Sequence, residues 1–338
     1  MFIMKKKAIG LLSGGLDSTL AVRIMLDMGI EVIALNFLSP FCTCTRKGAG
    51  CKSEALKASK KFGIKSKTLF LGEKYLEIVK SPKYGYGSSM NPCIDCRVMM
   101  FKNAKQFMID ENASFIFTGE VLGQRPMSQR RDTMNIIERD SQLKGLIVRP
   151  LSAQFLKPTL PEIHGIVNRD RLLKIKGRSR KHQMALAGEK GIYDYPCASG
   201  GCLLTESHFA KKLKDLHRFQ NPISINDARL LRVGRHLRIN DLCKIIVGRN
   251  KEENEKLEKL VQPGDHLFKS LEHKGPLVVA KGKIENGAME TISAITAHYS
   301  KAPKLTKILV EVCKYPDDQL PLQETCSLDE ETVKNLLL

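Results

Sequence analysis

Residues 8–18 read Ala8-Ile9-Gly10-Leu11-Leu12-Ser13-Gly14-Gly15-Leu16-Asp17-Ser18, and this stretch decides the fold. Ala8 to Leu12 is a short apolar run, the pattern of a strand buried on both faces. Ser13-Gly14-Gly15 breaks that run, and Ser18 to Met28 then reads as a helix stopped at Gly29. Glycines at such a turn take positive φ readily and let backbone N–H groups approach an anion. The next helix presents its positive end at the same place, and Ser13 and Ser18 add hydroxyl donors. Asp17 is the odd member, because a carboxylate repels phosphate. It fits if Mg2+ lies between the two, or if it caps the helix, and it is counted among the catalytic candidates. No Gly-Lys-Ser/Thr ending follows, so the loop is not of the Walker type.

Outward from this stretch, strand and helix signals alternate. Glu31–Phe37 is a second strand, Lys52–Phe62 a helix closed by Gly63, and Thr68–Leu71 a third strand. Cys96–Asp110 is helical and Phe115–Thr118 is another short strand. The pattern predicts an α/β fold, a Rossmann-like doubly wound parallel sheet with ligands at the carboxyl ends of its strands. The Pro-rich stretch Arg149 to Pro161 reads as a domain exit, and Arg169–Lys190 as a basic helical segment. From Ile223 onward short strands are expected at Leu230–Val233, Lys244–Val247 and Leu277–Lys281, around a charged helix Lys251–Leu260. These form a smaller C-terminal α+β domain. The expected division is 1–165 for nucleotide binding, 166–220 for a basic helical linker, and 221–338 for the second domain.

The balance of 55 Lys+Arg against 36 Asp+Glu gives a net charge of +19, which favours a polyanionic partner and nucleic acid first. With aromatic residues at 6% and no Trp, stacking of bases on an aromatic platform is not the expected binding mode. No apolar run is long enough to span a bilayer, and Met1 to Lys7 lacks the apolar core of a signal peptide, so a cytoplasmic protein with no membrane partner is expected. Ten cysteines in such a chain are not expected to be disulfides. Their clustering at Cys42, Cys44 and Cys51, at Cys93 and Cys96, and at Cys197 and Cys202 points to metal, iron–sulfur or thiol chemistry. Cys243, Cys313 and Cys326 read as isolated small core residues.

Asn91-Pro92-Cys93-Ile94-Asp95-Cys96 is a C-x-x-C opening a helix, a placement that lowers a thiol pKa. Gly200-Gly201-Cys202-Leu203-Leu204 puts a further cysteine in a glycine turn, where access to the thiol is expected to be easy. Thr118-Gly119-Glu120 follows a strand and is expected to face the nucleotide. Gln124, Arg125 and Arg130 can neutralise phosphate or hold an RNA backbone, and Arg149 leaves the sheet near the same mouth. Asn36, in the second strand, joins Gly119 and Arg125 as a nucleotide-binding candidate. Lys174, Lys176, Arg178, Arg180 and Lys181 form a basic run that suits phosphates or a solvated helix face equally, and Arg229, Arg232, Arg235, His236 and Arg238 form a second.

Ser13-Gly14-Gly15-Leu16-Asp17-Ser18 resembles the PP-loop of the ATP pyrophosphatase superfamily. That resemblance implies ATP cleavage between the α and β phosphates and transfer of AMP to a carbonyl oxygen. With the loop, the cysteines resemble those of tRNA thiouridine synthases. Cys96 and Cys202 match the two catalytic cysteines of the bacterial 2-thiouridylases, while Cys93 stands where that family has Asp. Cys93, Cys96 and Cys202 therefore resemble the three-cysteine set of the iron–sulfur-dependent synthases. Three thiolates leave one iron of a [4Fe–4S] cluster without a protein ligand, where sulfide could bind. The alternatives are a persulfide on Cys202 resolved by Cys96, and four-cysteine zinc.

Over roughly residues 5–300 the chain resembles PP-loop, thiouridylase-like proteins with a C-terminal NFACT-R-type domain. The likeness rests on Tyr84-Gly85-Tyr86-Gly87, the Asn91–Cys96 and Thr118–Gln129 stretches, Arg149–Ala153, Gly177–Arg180, Gly200–Thr205 and Val233–His236. It implies a tRNA thiouridine synthase using ATP, Mg2+ and a cluster. Its partners would be tRNA and a sulfur donor, whether sulfide, a cysteine desulfurase or a sulfur carrier. Two other readings stay open: PP-loop adenylation with another nucleophile, and a non-catalytic RNA-binding factor.

Overall fold

The computed structural model describes residues 5–43, 51–195, 201–285, 287–303 and 306–338; Cys44, Cys197 and the Cys51 side chain lie outside that description. The chain divides into two compact units, Met1–Thr205 and Glu206–Leu338. The first contains β1 (Lys7–Leu11), α1 (Leu16–Asp27), β2 (Glu31–Leu38), α2 (Cys51–Lys61), β3 (Lys65–Phe70), α3 (Glu73–Lys80) and α4 (Cys93–Asp110). It continues through β4 (Phe115–Thr118), α5 (Arg131–Asp140), β5 (Ile147–Val148), α6 (Leu160–Ile163) and α7 (Lys181–Glu189). The second contains α8 (Ser207–Phe219), α9 (Ile225–Leu230), β6 (Arg235–Arg238), β7 (Cys243–Val247), α10 (Lys251–Glu258) and β8 (His266–Ser270). It ends with β9 (Val278–Gly282), α11 (Ala288–His298), β10 (Ile308–Lys314), β11 (Asp318–Thr325) and α12 (Glu330–Leu336).

In the first unit five strands run in the order β3-β2-β1-β4-β5, and every pairing is parallel. Apolar β1, β2 and β4 are buried along almost their whole length, as strands covered on both faces must be. Leu16, Leu20 and Met25 of α1 are wholly buried and join Phe115, Phe117, Val148 and Ala187 in one core. The chain moves outward from β1 through β2 to β3, then returns to the other side of β1 as β4 and β5. The order reverses between β1 and β4, so the crevice at their carboxyl ends is where a ligand fits a sheet of this kind.

In the second unit six antiparallel strands run in the order β11-β10-β8-β9-β7-β6. Alternation along β7 and β9 sends Ile245, Val247, Val278 and Ala280 to one face, with Ile292 and Ile295 of α11. Ile246 and Val279 go to the other, with Leu230 and Leu257. The expected fold class, a Rossmann-like parallel sheet with a smaller α+β domain, holds.

Two expected elements do not form. Leu230–Val233 is not a strand: Ser224 and Asp227 make a capping box that starts α9, and Val233 N–H donates to Leu230 O (2.9 Å) in the turn that follows. Arg169–Lys190 is not one helix. After a 3-10 turn at Arg169–Arg171, Leu173 and Ile175 N–H donate to Pro150 O and Leu151 O (both 2.8 Å), which holds that part extended, and α-helix begins only at Lys181. Pairing with a neighbouring segment outcompetes local helix propensity there.

Candidate functional site

Ser13, Gly14 and Gly15 form the turn from β1 into α1, at the carboxyl edge of the sheet. Gly14 has φ +81°, and a Cβ on it would come 2.5 Å from the Glu54 carbonyl carbon, so α2 closes on the loop at a place only glycine fits. Gly15 is the N-cap of α1 and gives it no side-chain cap. The first N–H groups of α1 therefore have no side-chain acceptor at the cap position, which leaves them for a ligand. Ser18 Oγ donates to Gly15 O (2.9 Å) and accepts from Ser13 N–H (3.3 Å), which fixes the curl of the turn. Gly119, just past β4, packs on this same turn of α1: a Cβ there would lie 2.4 Å from the Asp17 carbonyl carbon. Asn36 is buried in β2, in register with Thr68 of β3.

Asp17 Oδ2 accepts from Gln124 Nε2 (2.8 Å), while buried Asp17 Oδ1 has no hydrogen bond. Gln183 of α7 donates to Gln124 Oε1 (3.3 Å), so a chain of amides steadies the carboxylate. Arg125 lies among Arg97, Cys93, Asp17 and Glu120; burial, then the neighbouring Arg97 guanidinium, holds its pKa below the usual arginine range. Arg97 Nε is 3.4 Å from Glu120 Oε1, and Arg149 Nε donates to Glu120 Oε2 (3.0 Å). Arg149 also pairs with Glu138 and is buried, so it is a strut inside the unit. Burial works against its charge, and the Glu120 and Glu138 carboxylates overcome that, holding its pKa above the usual value.

Cys93 and Cys96 are in the first turns of α4, one helical turn apart. Asp95 between them accepts from the backbone N–H groups of Lys83 and Tyr84 (both 3.1 Å), pinning the Tyr84–Gly87 turn to the start of the helix. Helix-start placement was expected to lower these thiol pKa values, but burial raises both. Desolvation of the thiolate outweighs the helix end and, for Cys93, the guanidiniums of Arg97 and Arg125. Cys202 is half-buried, not open as its glycine turn suggested. Burial pushes it up to about 12, against an opposing hydrogen bond from Leu204 N–H and with the Cys96, Cys42 and Cys93 thiols adding to the rise.

Tyr75 of α3 is buried at the centre of this set. Burial, followed by the Cys96 and Cys202 thiols, raises its pKa well above the usual value; the Cys96 thiol itself donates to Met100 Sδ (3.9 Å). Cys42, Cys93, Cys96 and Cys202 thus act electrostatically on one another or on Tyr75, and Arg97 acts on Cys93 and Cys96. Arg97 directly follows Cys96 in the sequence, which was a signal to find it; Tyr75 carried none beyond an apolar helix face. As a donor set, three soft thiols suit iron–sulfur or zinc chemistry. Among the described residues, no group of three His, Cys, Asp or Glu side chains is already drawn together around a metal position.

In the second unit the basic set is divided. His236 is buried and held neutral, its pKa lowered well below the usual histidine value by burial and then by Lys244 and Lys212. Arg238 is bidentate on Asp215 (2.9 and 2.6 Å) and lies 4.3 Å from the Phe219 ring. Arg235 lies over Tyr299 (4.9 Å). No helix among the described residues is long and apolar enough to cross a membrane.

Residues 3–154 match the family described as Thiamine biosynthesis protein (ThiI), and residues 234–336 match the NFACT protein RNA binding domain. The tRNA-specific 2-thiouridylase MnmA of Leptospira biflexa is 30% identical over 129 residues, 32% of this chain and 33% of that one. The probable tRNA sulfurtransferase of Thermococcus kodakarensis is 29% identical over 154 residues, 43% of this chain and 36% of that one. The chain thus spans about a third of the length of these curated relatives. A solved 4-thiouridine synthetase–RNA complex with bound ATP is 21% identical with a TM-score of 0.39, covering 67% of this chain and 52% of that one. The chain therefore joins, in one polypeptide, a PP-loop region similar to the ThiI family and a region similar to NFACT RNA-binding domains.

Proposed function

We propose that the chain is a cytoplasmic tRNA thiouridine synthase. ATP binds at Ser13–Ser18, with Asn36, Gly119 and Arg125 completing the site. The uridine carbonyl oxygen attacks the α phosphate and pyrophosphate leaves. A sulfur nucleophile then adds to the activated carbon, and AMP leaves with the original oxygen. The observation that carries this reading is the Ser13-Gly14-Gly15 turn at the carboxyl edge of the sheet, where α2 and Gly119 close on the loop and the first N–H groups of α1 have no side-chain cap. Arg125 feels the charge of both Asp17 in that loop and Cys93 in the cysteine set, which supports linking the phosphate chemistry to the sulfur chemistry. Arg97 beside it makes a pair of like charges whose repulsion an anion relieves, as an adenylate phosphate would.

Asp17 Oδ1, buried and without a hydrogen bond, is the atom that suits Mg2+. Cys93, Cys96 and Cys202 would hold a [4Fe–4S] cluster, which when bound supplies an iron free of protein ligand for carrying sulfur. The chain's own residues do the rest. Backbone N–H groups of the loop bind phosphate, and Gln124 orients Asp17. The second unit's likeness to RNA-binding domains supports tRNA as the acceptor, with the sulfur coming from sulfide, a desulfurase or a carrier.

The test uses the full chain, reconstituted anaerobically with iron and sulfide, given Mg·ATP, sulfide and tRNA transcript. AMP release that depends on tRNA, with thiouridine detected by nucleoside mass spectrometry, is the expected result. ATP turnover indifferent to tRNA and no thiolated nucleoside would sink the reading. Cys93→Ala, Cys96→Ala and Cys202→Ala should each lose bound iron and brown absorbance. Full iron retention by all three removes the ligand assignment, and thiouridine formation without iron turns the assignment to a persulfide on Cys202.

A further inference from the structure

Cys42, just past β2, and Cys202 face each other across an isolated antiparallel bridge. Leu203 N–H donates to Phe41 O (2.8 Å) and Thr43 N–H donates to Gly201 O (3.2 Å). Both bonds flank the pair, so Cys42 and Cys202 occupy the non-hydrogen-bonded position of the ladder. Opposed residues there have Cα atoms about 4.5 Å apart with their side chains at closest approach. That spacing lies within the roughly 4.4–6.8 Å that a disulfide spans. Both residues are thiols in this structure.

The surroundings hold the two sulfurs where they are. Ser39 N–H donates to Cys42 Sγ, and Ser39 Oγ is also 3.4 Å from it. Thr43 Oγ1 donates to Gly201 O (2.7 Å), tying the Cys202 loop to the Cys42 loop a second time. Cys96, by contrast, is on α4 with its thiol donating to Met100 Sδ (3.9 Å), and it makes no backbone bridge to Cys202 among the described residues.

We infer that Cys42 and Cys202 form a reversible dithiol–disulfide pair, with a small-molecule disulfide as oxidant, and that closing it withdraws Cys202 from sulfur chemistry. One thiolate of the pair attacks the small disulfide, forming a mixed disulfide and expelling one small thiolate. The other then attacks the protein sulfur of that mixed disulfide, forming the Cys42–Cys202 bond and expelling the second. Two electrons pass to the oxidant, and the two protons lost by the protein end on the two small thiols. The pair rests on the bridge geometry; its consequence for sulfur transfer rests on the function proposed above.

The experiment oxidises the reduced full-length protein anaerobically with oxidised glutathione, alkylates it in denaturant and digests it with trypsin. The expected product joins peptide 24–46 to peptide 191–211, lighter by two hydrogens than its parts, with fragment ions separating Cys42 from Cys44 and Cys202 from Cys197. Dithiothreitol reverses it, and Cys42→Ser gives no such product. Thiouridine formation should fall at least about tenfold on closure and return on reduction, because the bridged sulfur has no thiolate to offer. A Cys202–Cys96 bridge, or a glutathione adduct on Cys202 that never resolves, overturns the pair. A bridge that leaves thiouridine formation unchanged overturns its consequence. A bridge in a protein that makes no thiouridine even when reduced leaves the pair standing and counts against the proposed function instead.

Discussion

The two units treat buried charge in opposite ways. In the second, Asp215 takes two hydrogen bonds from Arg238 and one from Lys244 (2.9 Å), and burial of the carboxylate is more than offset, so its pKa falls below the usual value. Buried atoms without a hydrogen bond there include ring nitrogens such as Nδ1 of His236 and of His266. In the first, the buried atoms without one include Asp17 Oδ1 and Arg180 Nε, while Glu120 Oε1 has only the 3.4 Å ion pair with Arg97. A charged group left short costs more than a neutral imidazole left short. One unit uses its ions to complete itself, whereas the other keeps Asp17 Oδ1 incomplete at the carboxyl edge of its sheet. Incompleteness of that kind is expected at a site whose ligand supplies the missing partners.

The comparison is most exposed to removal of its arginines. Arg149→Ala leaves buried Glu120 and partly buried Glu138 without that partner, and should cost about 3–5 kcal/mol in urea denaturation. A cost under about 1 kcal/mol would mean that water already satisfies the pair. Next in size, Gly119→Ala pushes a methyl into the Asp17–Ser18 backbone, where nothing flexible can yield. ATP affinity, read by calorimetry, should fall on the order of a hundredfold, because a misplaced first turn of α1 misaims its N–H groups. Unchanged affinity would place the nucleotide elsewhere.

Arg238→Ala should cost less than Arg149→Ala, about 1–2 kcal/mol, because Asp215 keeps Lys244. Equal costs for the two variants would erase the contrast between the units. The smallest effect is on pH. His236 is held neutral in the fold, while in the unfolded chain it takes a proton near pH 6.5. Its folded pKa is the lower one, so its stabilising contribution is present above about 6.5 and is lost as pH falls below that, by up to about 1.4 kcal/mol per pH unit. Melting followed from pH 7.5 to 5.5 should fall less steeply for His236→Gln than for the parent. Parallel curves would assign the titration to another group.

What the sequence determined by itself was local and repetitive. The apolar run Ala8–Leu12 ending in Ser13-Gly14-Gly15 carried the parallel sheet and the phosphate turn, because strand burial and left-handed glycine are written in adjacent residues. Cys93 and Cys96 could be placed at a helix start for the same reason. Tertiary structure alone decided what depends on distance across the chain. Cys42 faces Cys202 only because two loops pair. Thiols expected to ionise are driven the other way because the packed unit removes water from them. Arg149, read as leaving the sheet near its mouth, closes on Glu120 and Glu138, and the run expected to be helical over Arg169–Lys190 is held extended at Leu173 and Ile175 by Pro150 and Leu151. Propensity and periodicity act over a few residues; burial and pairing energies belong to surfaces that exist only once the chain has folded.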